Sequence, residues 1–508
     1  MEKNRDEDTC MNVTCNAKRK WIPTVSLVYL SLPILLFLAY WIKPMISVPV
    51  IALFLFGLYQ TYRNTNPFQI NGKHSGVTIA IIALVLLCWV VLSGVGGLVW
   101  QNRWDHMFRN ALFSDQVKYA WPVIDSSLSA PRMLCYNFGF WLPSALIGKL
   151  FGLQVGYVFQ TVWAFIGVAL AFAFICERLG KVSIPALVIF IIFSGLDILL
   201  FFLGKIHSGT LQTALPELLA GTHLELKLYQ FSSASNTTLL FWVYNQIIPF
   251  WLVFLLLLRQ TNNRTRLFVF MLMLLYSPFP AVGCLPMVVY QFLQKSNFTD
   301  ETGKKSFRTF LRSTLTVANV TGLIVCLIIA LFYMSNIATG SVGLIKINTG
   351  SIMEFALYFA TEYFVFLVFI LLLKKADALY WVLMGSMVVF SFITLGNNYD
   401  FGWRTCIPAA IYTMLLIMQI LSNPEPCKKY KRLKFALIAV LVLGSVTPAM
   451  EMLRTVEHTA AYVSGASAEP LKSNTLDTVF DQANNKCYDN FIGTTDSVFA
   501  KYLMRNQD

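Results

Sequence analysis

Charge is what this chain has least of. Only 13% of its 508 residues are Asp, Glu, Lys or Arg, while 56% are apolar and mean hydropathy is +0.61. So little charge cannot cover a water-solvated surface, and a soluble fold is excluded. Histidine is scarce as well: His106, His207, His223 and His458 lie in polar segments but lack the spacing of a zinc site. Walker, Rossmann, nucleophile-elbow and His-Glu-x-x-His signatures are all missing, so ATP-driven transport, dinucleotide chemistry and membrane zinc proteolysis have no footing. No cofactor is expected. The Asp and His residues present are types that bind a divalent metal, but their spacing gives that no support. No internal repeat or linker occurs, and one domain is the simplest reading.

What is present is a series of apolar runs. They cover 21–42, 45–62, 77–100, 153–176, 184–203, 237–258, 315–336, 352–373, 379–395, 406–421 and 435–452. Each suits a hydrocarbon core of about 30 Å, and in lipid the backbone must satisfy its own hydrogen bonds as helix. Trp21, Trp41, Tyr62 and Trp100 mark interfaces. A further stretch, 267–293, is split by Ser277-Pro278-Phe279-Pro280 into halves too short to cross, and both its flanks are basic. It reads as a broken or re-entrant pair that returns to its starting side. The fold class is therefore an all-α integral membrane protein of about 11 transmembrane helices plus one broken pair. Residues 1–452 form the membrane domain and 453–508 a tail packed on the loops.

The net charge of +13 invites a nucleic-acid reading until the cations are located. With the N-terminus inside, the inner segments hold 24 Lys and Arg in 88 residues, against 15 in 167 outside. This follows the positive-inside rule, and no nucleic-acid partner is expected. The expected location is a bacterial inner (plasma) membrane, with the N-terminus cytoplasmic and the C-terminus outside. All long polar loops (101–152, 204–236, 337–350, 396–405) then share the outer face with the tail. Within them, 134–150 reads as a helix dipping into the interface and 211–228 as a helix with leucines at helical spacing.

Chemistry concentrates in the first long loop. Asp105, His106, Arg109 and Asn110 follow directly after a span, with Asp115 a little later. A carboxylate at the membrane surface can take a proton from an acceptor hydroxyl, and an arginine fork can hold a phosphate. The competing reading is a local Asp–Arg pair in an ordinary loop. A second group, Asn397, Asn398, Asp400 and Arg404, occupies a short hairpin, where Arg404 can meet a phosphate or simply bridge to Asp400. Lys149 and Arg132 are further phosphate candidates. Glu362 sits near the middle of an apolar run, where a carboxylate is costly unless it faces a cavity or partner; Asp197 and Glu354 lie nearer the outer ends. Of the ten cysteines, Cys135 and Cys487 form the one clear outer pair.

The stretch Trp104-Asp105-His106-x-x-x-Asn110, with Trp121-Pro122-Val123, Tyr136-Asn137-Phe138-Gly139-Phe140-Trp141-Leu142-Pro143, Leu240-Phe241-Trp242-Val243-Tyr244-Asn245-Gln246, Ser277-Pro278-Phe279 and the segment from Asn398 to Pro408, resembles a bacterial branch of polytopic membrane glycosyltransferases of the GT-C type. The resemblance implies an enzyme that takes a sugar from a polyprenyl-phosphate donor, with inversion, and passes it to a glycan, lipid or protein acceptor in the cell envelope. It implies that Asp105 is the base and Asp115 its reserve, that Arg404, Arg109, Lys149 and Arg132 bind the donor phosphate, and that His106, Asn110, Glu362 and Asp400 line the cavity or acceptor site. Where that family often has paired carboxylates, this chain has Asp105 beside His106. Two other classes stay open. A transporter or lipid-linked oligosaccharide flippase would use Glu362 and the break at Pro278 and Pro280; an envelope-glycan polymerase is suggested by the spacing of Arg454 and Gly465.

Overall fold

The computed structural model describes residues 20–70, 75–101, 103–125, 131–225, 228, 230–299, 306–338, 342–373, 375–395, 399–422, 428–466, 474–476, 479 and 489–506. The chain is about 73% helical. From the N-terminus come α1 (Trp21–Trp41), α2 (Pro44–Asn64), α3 (Gly76–Leu92), α4 (Arg103–Lys118), α5 (Leu142–Phe151), α6 (Leu153–Leu179), α7 (Ile184–Ile192), α8 (Asp197–His207), α9 (Ala214–Leu219) and α10 (Asn236–Arg259). There follow α11 (Arg266–Met271), α12 (Pro278–Phe292), α13 (Phe307–Thr314), α14 (Val317–Tyr333), α15 (Thr349–Phe359), a π turn at Ala360–Phe364, and α16 (Val365–Leu372). The last are α17 (Ala378–Ser391), α18 (Asp400–Thr405), α19 (Ile407–Ser422), α20 (Lys428–Gly444) and α21 (Val446–Val463).

Among the described residues, eight helices are long and apolar enough to cross a membrane, or nine when α13 and α14, bent by 63°, count as one span. The expected runs 77–100 and 379–395 appear as the shorter apolar helices α3 and α17. The protein is a multi-pass, all-α membrane protein. Helix α10 is its axis, 89% buried over its apolar window.

The loops gather into two networks. On one face Arg259 bridges to Glu177 and donates to the carbonyls of Asn66 and Pro67, while Lys181 reaches Ser422. On the other, β1 (Ile124–Asp125), β2 (Arg132–Leu134), β3 (Val342–Leu344), β4 (Ile393–Leu395) and β5 (Ile492–Thr494) make two small antiparallel sheets, β1-β2-β5 and β3-β4. Through β5 the tail joins the first long loop, and Arg505 N–H donates to Trp41. The broken pair is a hairpin: Arg266 at its start is bound to Gln291 near its end, so the chain does return to its starting side.

Four expectations need correction. The run 77–100 is helical only to Leu92, because Gly94, Gly96 and Gly97 turn with φ of 80°, 78° and 65°; a Cβ on Gly96 would stand 2.0 Å from Thr161 Oγ1. The segment 134–150 is core, not interface: Phe138, Phe140, Trp141 and Leu142 are wholly buried. Within 211–228 the helix stops at Leu219, and the chain turns at Gly221 with φ of 67°. The helix expected over 435–452 is carried on through α21 as far as Val463, so the first part of the tail is helical.

Candidate functional site

The stretch after residue 101 is no loosely solvated loop. It folds as α4, and His106, Arg109, Asn110, Asp115 and Gln116 on it are all buried. Buried polar groups need partners, and here they come from distant segments. Non-helical backbone at Val243 kinks α10, and the nearby Phe241 carbonyl accepts from His106 Nε2 at 2.8 Å. The ring is therefore protonated on Nε2, and Nδ1 takes a hydrogen bond from Gln101 Nε2 at 3.3 Å. Burial, helped by the Arg109 charge, pulls His106 down to about 4. Asn110 and Gln101 exchange amide hydrogen bonds, the shorter being 2.7 Å.

One turn beyond Asp105, Arg109 Nη1 stands 2.9 Å from Asp105 Oδ1. Arg109 Nη1 is thus engaged by Asp105, while Nε has no hydrogen-bond partner among the described residues. The guanidinium side chain is 6% exposed and the Asp105 side chain 29%, so the carboxylate is partly open and the cation enclosed. The second pair, Asp400 with Arg404, meets at 3.8 Å on α18.

Both pairs act on Tyr136. Enclosure pushes the Tyr136 hydroxyl up from its ordinary range; Asp105 and Asp400 push the same way, while Arg109 and Arg404 pull it back. Asp105, Arg109, Asp400 and Arg404, from segments about three hundred residues apart, all lie within the range at which their charges act on Tyr136. Tyr136 had drawn no separate attention in the sequence, although it sits within the resembling motif; Gln101, at the junction of turn and helix, gave no signal at all.

Other candidates are placed elsewhere. Asp115 lies ten residues along α4 from Asp105, about 15 Å at helical rise, and its carboxylate accepts from Leu476 N–H of the tail at 3.3 Å. Lys149 donates to the carbonyls of Val117 and Tyr119 at the C-terminal end of α4, where a cation suits the helix dipole. Arg132 lies in β2 opposite Thr494. Asn397, Asn398 and Cys487 fall outside the described residues; Cys135 is buried, and its thiol donates to Phe332 C=O at 3.1 Å. Arg454, the polymerase candidate, is engaged by Glu451 and lies over the Trp242 ring.

Glu362 belongs to a second buried cluster. It stands on the π turn between α15 and α16, its carboxylate packed over Gly195 in the unwound segment between α7 and α8. Among the described residues, no group of three or more His, Cys, Asp and Glu is placed to hold a metal ion. No family model, curated protein or solved structure matches the chain.

Proposed function

We propose that this protein is a membrane glycosyltransferase of the GT-C type that moves a sugar from a polyprenyl-phosphate donor to an envelope acceptor on the outer face of a bacterial inner membrane, with inversion. The observation that supports the reading is the Asp105–Arg109 pair on α4, a partly exposed carboxylate beside an enclosed guanidinium, with the Asp400–Arg404 pair acting on the same Tyr136. It joins a partly exposed carboxylate to a buried cation whose Nε has no partner among the described residues. Reading α3 and α17 as tilted short spans gives eleven crossings, with the long loops and tail outside.

In this account Asp105 takes the proton of the acceptor hydroxyl, and the freed oxygen attacks the anomeric carbon from the face opposite the phosphate. The carbon–oxygen bond to the phosphate breaks, and polyprenyl phosphate leaves with the bonding electrons. A buried guanidinium with unmatched N–H groups is costly alone and favourable against a phosphate, so Arg109 and Arg404 stabilise the leaving group. His106 keeps α4 seated on α10 and stays neutral. The test is sugar transfer from defined polyprenyl-phosphate sugars, comparing wild type with Asp105→Asn and Glu362→Gln; loss in the first and retention in the second supports the reading.

A second reading, translocation of a lipid-linked substrate, is favoured by the unwound segment at 193–196 beside the π turn that carries Glu362. It would show as loss of translocation in Glu362→Gln with transfer untouched by Asp105→Asn.

A further inference from the structure

Two helices break at the same level. Between α7 and α8, residues 193–196 leave the helix, and Asn236 and Thr237 at the start of α10 take up freed carbonyls, bonding to Phe190 at 2.9 Å and Ile191 at 2.7 Å. Opposite, the chain widens into the π turn at Ala360–Phe364, and Leu196 N–H crosses to the carbonyl of Thr361 at 3.1 Å. Breaks of this kind inside spans recur at functional sites.

The cavity between them is lined by Ser194, Gly195, Ser233, Asn236, Glu362 and Thr413 among others, and leaves about 10 Å³ for the centre of a water-sized body, room for one. Glu362 is 7% exposed, and its Oε1 has no hydrogen-bond partner among the described residues.

Charge does not balance around it. Glu451 is matched by Arg454 and by His223 Nδ1 at 2.7 Å, and also accepts from Trp242 Nε1 at 2.7 Å. Glu225 accepts from Ser235 N–H and the Thr238 hydroxyl, each at 2.8 Å. Asp197 accepts from the Ser194 and Thr447 hydroxyls at 3.4 and 3.3 Å. Among the described residues, no Lys or Arg lies within ion-pair distance of Asp197, Glu225 or Glu362. A buried carboxyl without a countercharge either takes up a proton or faces an ion or partner, and intramembrane acids of this kind mark ion paths.

From this the geometry points to a binding site for one small monovalent cation, with Glu362 Oε1 as the anionic ligand and neutral oxygens of Ser194, Ser233, Asn236 and Thr413 around it. A proton alone needs no cavity, and a divalent ion would need more than one free carboxylate. The site is independent of sugar transfer at Asp105.

The test is direct binding of radiolabelled Na⁺ to the purified full chain in lipid nanodiscs, with K⁺ as competitor and choline to hold ionic strength. The expected result is saturable binding and a rise of several degrees in melting temperature with Na⁺ over choline. Both should be lost in Glu362→Gln and unchanged in the surface variant Asp496→Asn; competition by K⁺ sets which alkali ion the site prefers. If Glu362→Gln fails to fold, Thr413→Val decides, and weakened binding in it supports the site. Equal binding in wild type and variant, or no saturable binding by folded protein with choline stabilising as well as Na⁺, overturns the inference.

Discussion

The carboxylate of Glu362 lies so close over Gly195 that a Cβ on the glycine would stand 2.1 Å from Oε2 and 2.2 Å from Cδ. Gly195→Ala should therefore destabilise the fold by about 1–3 kcal/mol, the range for overpacking, read as a lower melting temperature in detergent. The double variant Gly195→Ala/Glu362→Ala should recover much of that loss. Two losses that merely add would show that the contact is not the cause.

His106 gives a pH signature. Its imidazole titrates at about 4 in the fold against about 6.5 unfolded. The unfolded chain therefore binds the extra proton first, and stability is full above about pH 6.5 and falls as pH drops toward 4. The whole contribution is about 3 kcal/mol at roughly 1.4 kcal/mol per pH unit. Melting temperature should decline across that window, and His106→Gln, which keeps a donor for Phe241, should flatten the decline. An unchanged slope in the variant would place the titration elsewhere.

How much of this was legible beforehand differs by element. The spans were, because a lipid-facing helix needs only an apolar run of sufficient length. Helix α4 was not: its polar residues face inward to Phe241, Gln101 and Leu476, so the usual rule that polar means solvated misreads it. The importance of Asp105, Arg109, Asp400 and Arg404 rested on residue type and resemblance; their meeting at Tyr136 depends on contacts between remote segments that periodicity cannot encode. Glu362 stands out as a lone acid in an apolar run, whereas Glu225, within the outer stretch 211–228, gives no sign that it is buried near it. Ser194-Gly195 inside an apolar run was the available signal for the break between α7 and α8.

If Arg109 and Arg404 hold the donor phosphate, removing either should weaken donor use more than acceptor use. Arg109→Ala and Arg404→Ala should each raise the donor KM about tenfold or more, as expected for a lost hydrogen bond to a charged group. Because both act in one neighbourhood, the double variant should depart from additivity. A selective effect on acceptor KM would reassign them.

The two loop networks make orientation measurable. A cysteine at Asp496, which is exposed beside β5, should react with a membrane-impermeant maleimide in intact spheroplasts. One at Lys181, on the face of Arg259 and Glu177, should react only after permeabilisation. The reverse pattern would invert the expected topology.

The most direct test of the central claim is the rate of sugar transfer from a polyprenyl-phosphate donor by Asp105→Asn protein that inserts and melts like wild type. A base removed from the reacting hydroxyl should cost about a hundredfold or more, with the pH dependence of the residual rate altered. Full activity in that variant would contradict the account.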